Sequence, residues 1–184
     1  MQPTSNTEVK QIIIKLNNNK ASGPDSIHVK SLKAIADIVT PLLCHIANLC
    51  FLEGTYPEQF KIAKVIPVYK RNESTNPSNY RPISLLSSMN KVIEKLINNR
   101  LQSFLMKNNI LYKYQFGFRK NHSTELALIE TIDTLRQYID ENYYVGGIFI
   151  DLTKAFDLVN HEILLKNCTI MEYEGYLINC LTAT

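Results

Sequence analysis

The residues best placed to do chemistry are two carboxylates at the end of an apolar run. The run is GGIFIDLTKAFD, Gly146 to Asp157, and its acids are Asp151 and, six positions later, Asp157. An acid at the mouth of a buried strand costs stability unless something binds it. A divalent cation held against phosphate oxygens is one such partner. Free N–H groups at a helix start are another, and then Asp151 or Asp157 is an N-cap.

A phosphatase that works through an aspartyl nucleophile wants a second aspartate two residues on; Thr153 stands there instead. Cations lie elsewhere in the chain. KIAKVIPVYKR, Lys61 to Arg71, holds four basic residues and no acid. KNNILYKYQFGFRK, Lys107 to Lys120, holds Lys107, Lys113, Arg119 and Lys120, interleaved with Tyr112, Tyr114, Phe116 and Phe118. Cations for phosphates and ring faces for bases are what a single-strand or template groove needs. A solvated basic face with its aromatics turned into a core has the same composition.

The elements that must position these groups follow from periodicity and punctuation. Ser5 and Glu8 form a plausible capping box for a first helix, TEVKQIIIKLNN. Gly23 and Pro24 break it, Asp25 or Ser26 can cap a second helix through Leu32, and a third runs from Pro41 to Leu52 before Gly54. IAKVIPVYK reads as an edge strand because of Pro67. RNESTNPSNYRP is a polar turn region. A long helix over Ser88–Met106 places Val92, Ile93, Leu96, Ile97, Leu101, Phe104 and Leu105 on one face. Ser123 caps another, striped by Leu126, Ile129, Ile132, Leu135 and Ile139. YYVGGIFID, apolar on both faces, reads as a central strand, and a short helix starts near Asn160. The expected class is α+β.

With 184 residues, 45% of them hydrophobic, the chain suits one globular domain; its net charge of +3 alone announces no nucleic-acid binder. Cys44, Cys50, Cys168 and Cys180 form no C-x-x-C pair, and His28, His45, His122 and His161 are scattered. Reduced thiols in an intracellular protein, nuclear and/or cytoplasmic, are expected, without zinc. The longest uncharged apolar stretch, IVTPLLCHIANLCFL, is fifteen residues and contains Pro41, so no membrane span is expected.

Five blocks stand in order: NKASGPDSI, AKVIPVYK, NYRPISLLSSMNKVIEKLINNRL, QFGFRKNHSTELAL and FIDLTKAFDLVNHEILL. Together they resemble the reverse transcriptase domain of non-LTR (LINE, jockey-like) retrotransposons, over about Lys15 to Lys166. The resemblance implies a right-hand polymerase of fingers, palm and thumb, working on an RNA template, a DNA primer and dNTP with two Mg²⁺ ions. Asp151 matches the first metal-binding palm aspartate, and the Leu152 carbonyl would face the same ion. Phe156 matches the aromatic ring beneath the incoming sugar that excludes a 2′-OH. Asp157 matches a position outside the metal site. Arg81 matches the fingers arginine along the triphosphate, and Lys70 a fingers lysine for the same phosphates. Arg119 and Lys120 fall in the block contacting template, as phosphate contacts or as solvated surface.

The implied division is 1–60, a helical extension; 61–142, fingers; 143–166, the first palm strand and following helix; and 167–184, a divergent tail. The family's second acid pair, in a Y-A-D-D block, occurs nowhere in the 184 residues. In-line phosphoryl transfer needs both sets of carboxylates. The expectation is a polymerase fragment inactive alone, with at most weak Mg²⁺ binding. A non-catalytic nucleic-acid-binding module and a relic reading frame are the other two readings.

The tail suggests why the pattern stops. Family members continue with something like K-K-L-x-Y-Y-G-I-R-G, whereas this chain reads KNCTIMEYEG. Read from the third base of codon 166, permitted codons spell K-L-Y-Y-Y-G-I-R-G. The glycine is forced by Met171-Glu172 and the leucine by Asn167-Cys168, whatever codons are used. One adenine lost at Lys166 accounts for this, and leaves Cys168 and Cys180 without a role. Sequencing the locus or transcript checks it: one inserted base near codon 166 is expected to open a frame running on to Y-A-D-D, and a closed frame refutes the loss.

Overall fold

A computed structural model of the chain describes residues 2–71, 73–152, 155, 156 and 158–170. Thr153, Asp157 and the tail from Met171 onward, on which some sequence expectations fall, lie outside the described residues. The fold is mixed helix and small sheet, the expected α+β class. It divides into two compact units, one built from Met1–Gln102 and the segment from Asn160, the other Ser103–Val159.

The first unit is organised by helices. In α1 (Asn6–Lys15) the Ser5 hydroxyl accepts the Glu8 N–H at 3.3 Å, as its capping pattern predicts. Glu8 does not complete the box. Its carboxylate instead takes the Thr4 hydroxyl at 2.8 Å and both terminal nitrogens of Arg100, at 3.0 and 3.1 Å. Next, α2 (Val29–Ala34) has His28 at its N-cap with no side-chain cap. The expected caps are diverted. Ser26 adopts a left-handed φ of 56°, and Asp25 accepts the Ile27 N–H at 3.1 Å and the Ser87 hydroxyl at 2.6 Å.

Helix α3 (Ala36–Glu53) begins a turn earlier than Pro41 suggested. Pro41 forfeits one helical N–H, and burial of Val39, Leu43, Ala47 and Phe51 on one face offsets that loss. Gly54, at φ 67°, ends the helix by donating its N–H to the Cys50 carbonyl at 3.0 Å. By length and composition α3 could cross a membrane; eight of its eighteen residues are buried within the unit. Val9 and Ile13 of α1, Val29 and Leu32 of α2 and Leu43 of α3 are all at most 1% exposed.

After a single turn, α4 (Glu58–Lys61), the chain forms an antiparallel hairpin, β1 (Lys64–Tyr69) with β2 (Tyr80–Leu85). Helix α5 (Asn90–Lys107) then buries Val92, Ile93, Leu96 and Ile97, the first half of its predicted stripe. Its Arg100 is one cross-link of the unit. It grips Glu8 with both terminal nitrogens, donates through Nε to the Gln2 carbonyl at 3.1 Å, and lies 4.9 Å above the Phe51 ring.

The junction between β2 and α5 is clasped by the loop before α2. Gly23 sits so close that an added Cβ would stand 2.6 Å from the Leu86 carbonyl carbon and the Ser87 nitrogen. Beside the Asp25–Ser87 bond, the Ser88 hydroxyl donates to the Ile27 carbonyl at 2.8 Å, and the Lys91 ammonium donates to the Ala21 carbonyl at 2.9 Å. The first unit also holds α7 (His161–Ile170), opened by Asn160, whose Oδ1 accepts the Ile163 N–H at 3.1 Å. That start is where the sequence put it.

In the second unit α5 ends in a left-handed asparagine, Asn109 (φ 51°), with the Ile110 N–H reaching back to the Leu105 carbonyl. Helix α6 (Thr124–Asp140), capped by Ser123 at the Leu126 N–H, ends the same way through Asn142 (φ 65°). Asparagine tolerates this conformation because its short amide bonds locally. No residue of α6 is buried, and its apolar stripe stays between 37% and 60% exposed.

The central strand expected over YYVGGIFID is not formed. The sheet contains β1 and β2 alone among the described residues, and Ile148, Phe149 and Ile150 are 83–96% exposed. A strand apolar on both faces needs neighbours on both edges, and none of the described strands pairs with this segment.

Two tests follow. Gly23→Ala is expected to destabilise the first unit by about 2–3 kcal/mol in urea unfolding, since the obstructing atoms are backbone and cannot swing away. The Arg100 hydrogen bonds hold the Glu8 carboxyl below its ordinary 4.5. A carboxyl lowered on folding adds stability that is full above pH 4.5 and lost as pH falls through the folded value. Glu8→Gln should therefore cost about 1 kcal/mol at pH 7, allowing for partial solvent screening, and progressively less below pH 4.5.

Candidate functional site

The hairpin register decides how its cations are arranged. Lys64 pairs with Leu85, Pro67 with Pro82, Val68 with Arg81 and Tyr69 with Tyr80. The Lys70 N–H continues the ladder to the Asn79 carbonyl at 2.8 Å. Hydrogen-bonded and open rungs alternate in an antiparallel pair. Lys70–Asn79 and Val68–Arg81 are therefore bonded rungs, and Pro67–Pro82 is an open one, as two residues without N–H require. Side chains alternate likewise. Lys70 and Arg81 thus share one face as diagonal neighbours, a separation of about 7–8 Å between backbones. The other face carries the Tyr69 and Tyr80 rings, 5.5 Å apart.

Both cations are exposed, and neither is ion-paired among the described residues. An exposed, unpaired guanidinium and ammonium on one face can take adjacent phosphates of a polyanion. The connecting turn is internally tied: the Tyr80 hydroxyl donates to the Ser74 carbonyl at 2.8 Å, and the Asn79 amide to the Glu73 carbonyl at 2.7 Å.

In the second unit the basic and aromatic stretch forms a tight loop between α5 and α6. The Tyr112 carbonyl is its centre, accepting the Gln115 N–H at 3.0 Å and the Arg119 Nη1 at 3.3 Å. Arg119 is half-buried and gives the loop its Nη1 alone, its Nε being buried without a partner among the described residues; Lys120 is exposed. The aromatics do not turn into a core: Tyr112 is 68% exposed and Phe118 87%. Lys113 lies 4.5 Å over the Tyr114 ring, and Tyr114 holds its ammonium above the ordinary value.

Asp151 and Leu152 are exposed in this same unit, and Phe156, also exposed, meets Phe118 edge to face at 6.2 Å. The Phe118–Phe156 contact was not legible from spacing, since 38 residues separate the two rings. Asp151 offers one carboxylate, and no group of three His, Cys, Asp or Glu gathers among the described residues. The residues present do not by themselves fit a pair of Mg²⁺ ions.

Known proteins align with this arrangement of blocks. The pattern of the reverse transcriptase (RNA-dependent DNA polymerase) family matches residues 68–182, a range that includes Lys70, Arg81, Asp151 and Phe156. The chain is 34% identical over 167 residues to the probable RNA-directed DNA polymerase from transposon BS of Drosophila melanogaster, across 90% of its own length and 18% of that protein. It is 35% identical over 159 residues to the RNA-directed DNA polymerase from mobile element jockey of the same fly, across 86% of its length and 17% of the relative. A Pol polyprotein from the type-1 retrotransposable element R1 of Bradysia coprophila is 30% identical over 154 residues, across 82% of this chain and 15% of that protein. The chain thus spans less than a fifth of these relatives. The ordered blocks and the family match agree: the chain belongs to the reverse transcriptase family, among the non-LTR, jockey-like retrotransposons.

Proposed function

We propose that the chain is the fingers and the opening palm segment of an RNA-directed DNA polymerase. In the intact protein it would transfer a nucleotidyl group from dNTP to a primer 3′-OH, templated by RNA. The observation that carries this is the pairing of Lys70 and Arg81 on one face of a hairpin inside the family match. Attack of the 3′ oxygen on the α-phosphorus breaks the bond to the β-phosphate oxygen and releases pyrophosphate. Arg81 grips the triphosphate through two N–H groups, and Lys70 adds a point charge beside it. Both groups hold the reacting phosphorus in place and offset the charge of the leaving pyrophosphate. The Phe156 ring occupies the space a 2′-OH would need. Asp151 and the Leu152 carbonyl would hold one share of the oxygen ligands for Mg²⁺ only together with the acid pair that this sequence does not contain, and bound ions would there supply charge neutralisation at the phosphates.

A second reading, a module that binds single-stranded nucleic acid without catalysis, draws on the exposed Tyr112, Tyr114 and Phe118 beside Lys113 and Lys120. Arg119, held by the Tyr112 carbonyl, shapes that surface in this reading.

The purified chain is expected to give no primer extension on an RNA template with Mg²⁺ or Mn²⁺, because the second acid pair is not in its sequence. Templated incorporation abolished by Asp151→Asn would overturn this. With the block grafted into an intact jockey-type polymerase, Arg81→Ala should raise KM for dNTP about 10- to 100-fold, the scale of a lost charged hydrogen bond. Phe156→Val in the same graft should admit ribonucleotides. Salt-sensitive binding of single-stranded RNA by the chain alone, without incorporation, favours the second reading.

A further inference from the structure

Phe118 combines features that ordinary packing does not explain. Its backbone lies in the left-handed region, at φ 58°, where a bulky side chain is strained. Its ring is 87% exposed, so core burial does not offset that strain. The loop around it is nonetheless fixed at several points. Arg119 Nη1 donates to the Tyr112 carbonyl, the Gln115 side-chain amide donates to the Gly117 carbonyl at 3.2 Å, and the His122 N–H donates to the Arg119 carbonyl. Among the described residues, the ring meets one aromatic neighbour. That neighbour is Phe156, itself 79% exposed, met at 85° with centroids 6.2 Å apart.

We infer that Phe118 is a positioning residue that holds the Phe156 ring and thereby sets how strictly that ring distinguishes deoxyribose from ribose. The inference rests on the reading of Phe156 as the sugar-selecting ring. Excluding one hydroxyl requires a ring fixed to within about half an ångström. An exposed phenylalanine without a neighbour moves among staggered rotamers that differ little in energy. An edge-to-face partner narrows that choice, because the positive edge of one ring seeks the negative face of the other. A helical or extended backbone at position 118 would carry the side chain elsewhere, which gives the left-handed conformation a use.

The full chain carries the first test. Of its seven phenylalanines, each labelled with fluorine, Phe156 is identified by the resonance that Phe156→Val removes. Phe118→Ala is expected to shift that resonance and Phe118→Tyr to leave it near its original position. A resonance indifferent to Phe118→Ala overturns the contact and the inference with it. Phe118→Gly suits the left-handed backbone, so it removes the ring while relieving the strain, and it should reproduce the alanine shift in a folded chain.

Sugar choice is then read in an intact jockey-type polymerase carrying Ser103–Val159 of this chain. Phe118→Ala should lower the ratio of dNTP to rNTP kcat/KM about three- to tenfold, the scale of one aromatic pair, and Phe118→Tyr should restore it. If Phe156→Val relaxes selection but Phe118→Ala does not, the inference is wrong and the reading of Phe156 stands. If Phe156→Val itself changes nothing, the reading of Phe156 fails first. A Phe118→Ala variant that loses template affinity with its sugar ratio intact would make Phe118 a base-stacking residue and overturn the inference.

Discussion

A two-stranded hairpin buries too little to hold itself in place, so the cations it carries are only as well positioned as its attachment. In this chain that attachment is the clasp of residues 21–27 over the start of α5. Gly23 lies against the Leu86–Ser87 backbone with no room for a Cβ, while Asp25, Ile27 and Ala21 take hydrogen bonds from Ser87, Ser88 and Lys91. Arg81 stands only five residues before Leu86. Any slackening of the clasp passes directly into the strand that bears the guanidinium. The helical core is in turn kept together by Arg100, which joins α5 to α1 and to the Phe51 ring of α3.

The two units differ in how they are stabilised. The first has closed its core: Val9, Ile13, Val29, Val92, Ile93 and Leu96 are fully buried. The second leaves the α6 stripe and the apolar run before Asp151 open to solvent. Local hydrogen bonds, helix caps and left-handed asparagines define its backbone more than burial does. Its exposed rings therefore sit on a backbone shaped by short-range contacts.

Helix starts and apolar stripes show in the sequence because local residues set them, whereas contacts between distant residues do not. Ser123 and Asn160 mark true helix starts, the first half of the α5 stripe is buried, and β1 falls where Pro67 and the apolar pattern put it, whereas Tyr80, Arg81 and Pro82 of the expected turn region open β2, which pairing with β1 defines. Asp25 looked like a cap and serves instead as an acceptor for Ser87, 62 residues away, a partner no window could show. Pro41 looked like a helix start and lies inside α3, because tertiary burial overrides a local preference. The run ending at Asp151 has strand composition, but a strand is made by its neighbours. The candidate site was legible as residue types. That Lys70 and Arg81 share a face needed the register, and that Phe118 meets Phe156 needed the fold.

The opposed prolines of the hairpin have a consequence for what can join it. In a two-stranded ribbon the open rungs are those whose backbone groups point outward, away from the partner strand. Pro67 and Pro82 occupy the middle open rung, one on each strand. Each outer edge therefore lacks its central N–H, and a further strand laid along either side would meet a gap where it needs a donor. Exposed β-edges invite other chains to add on, and proline is one of the residues that blocks this. The ribbon is thus closed to sheet growth on both sides while its cationic face stays open.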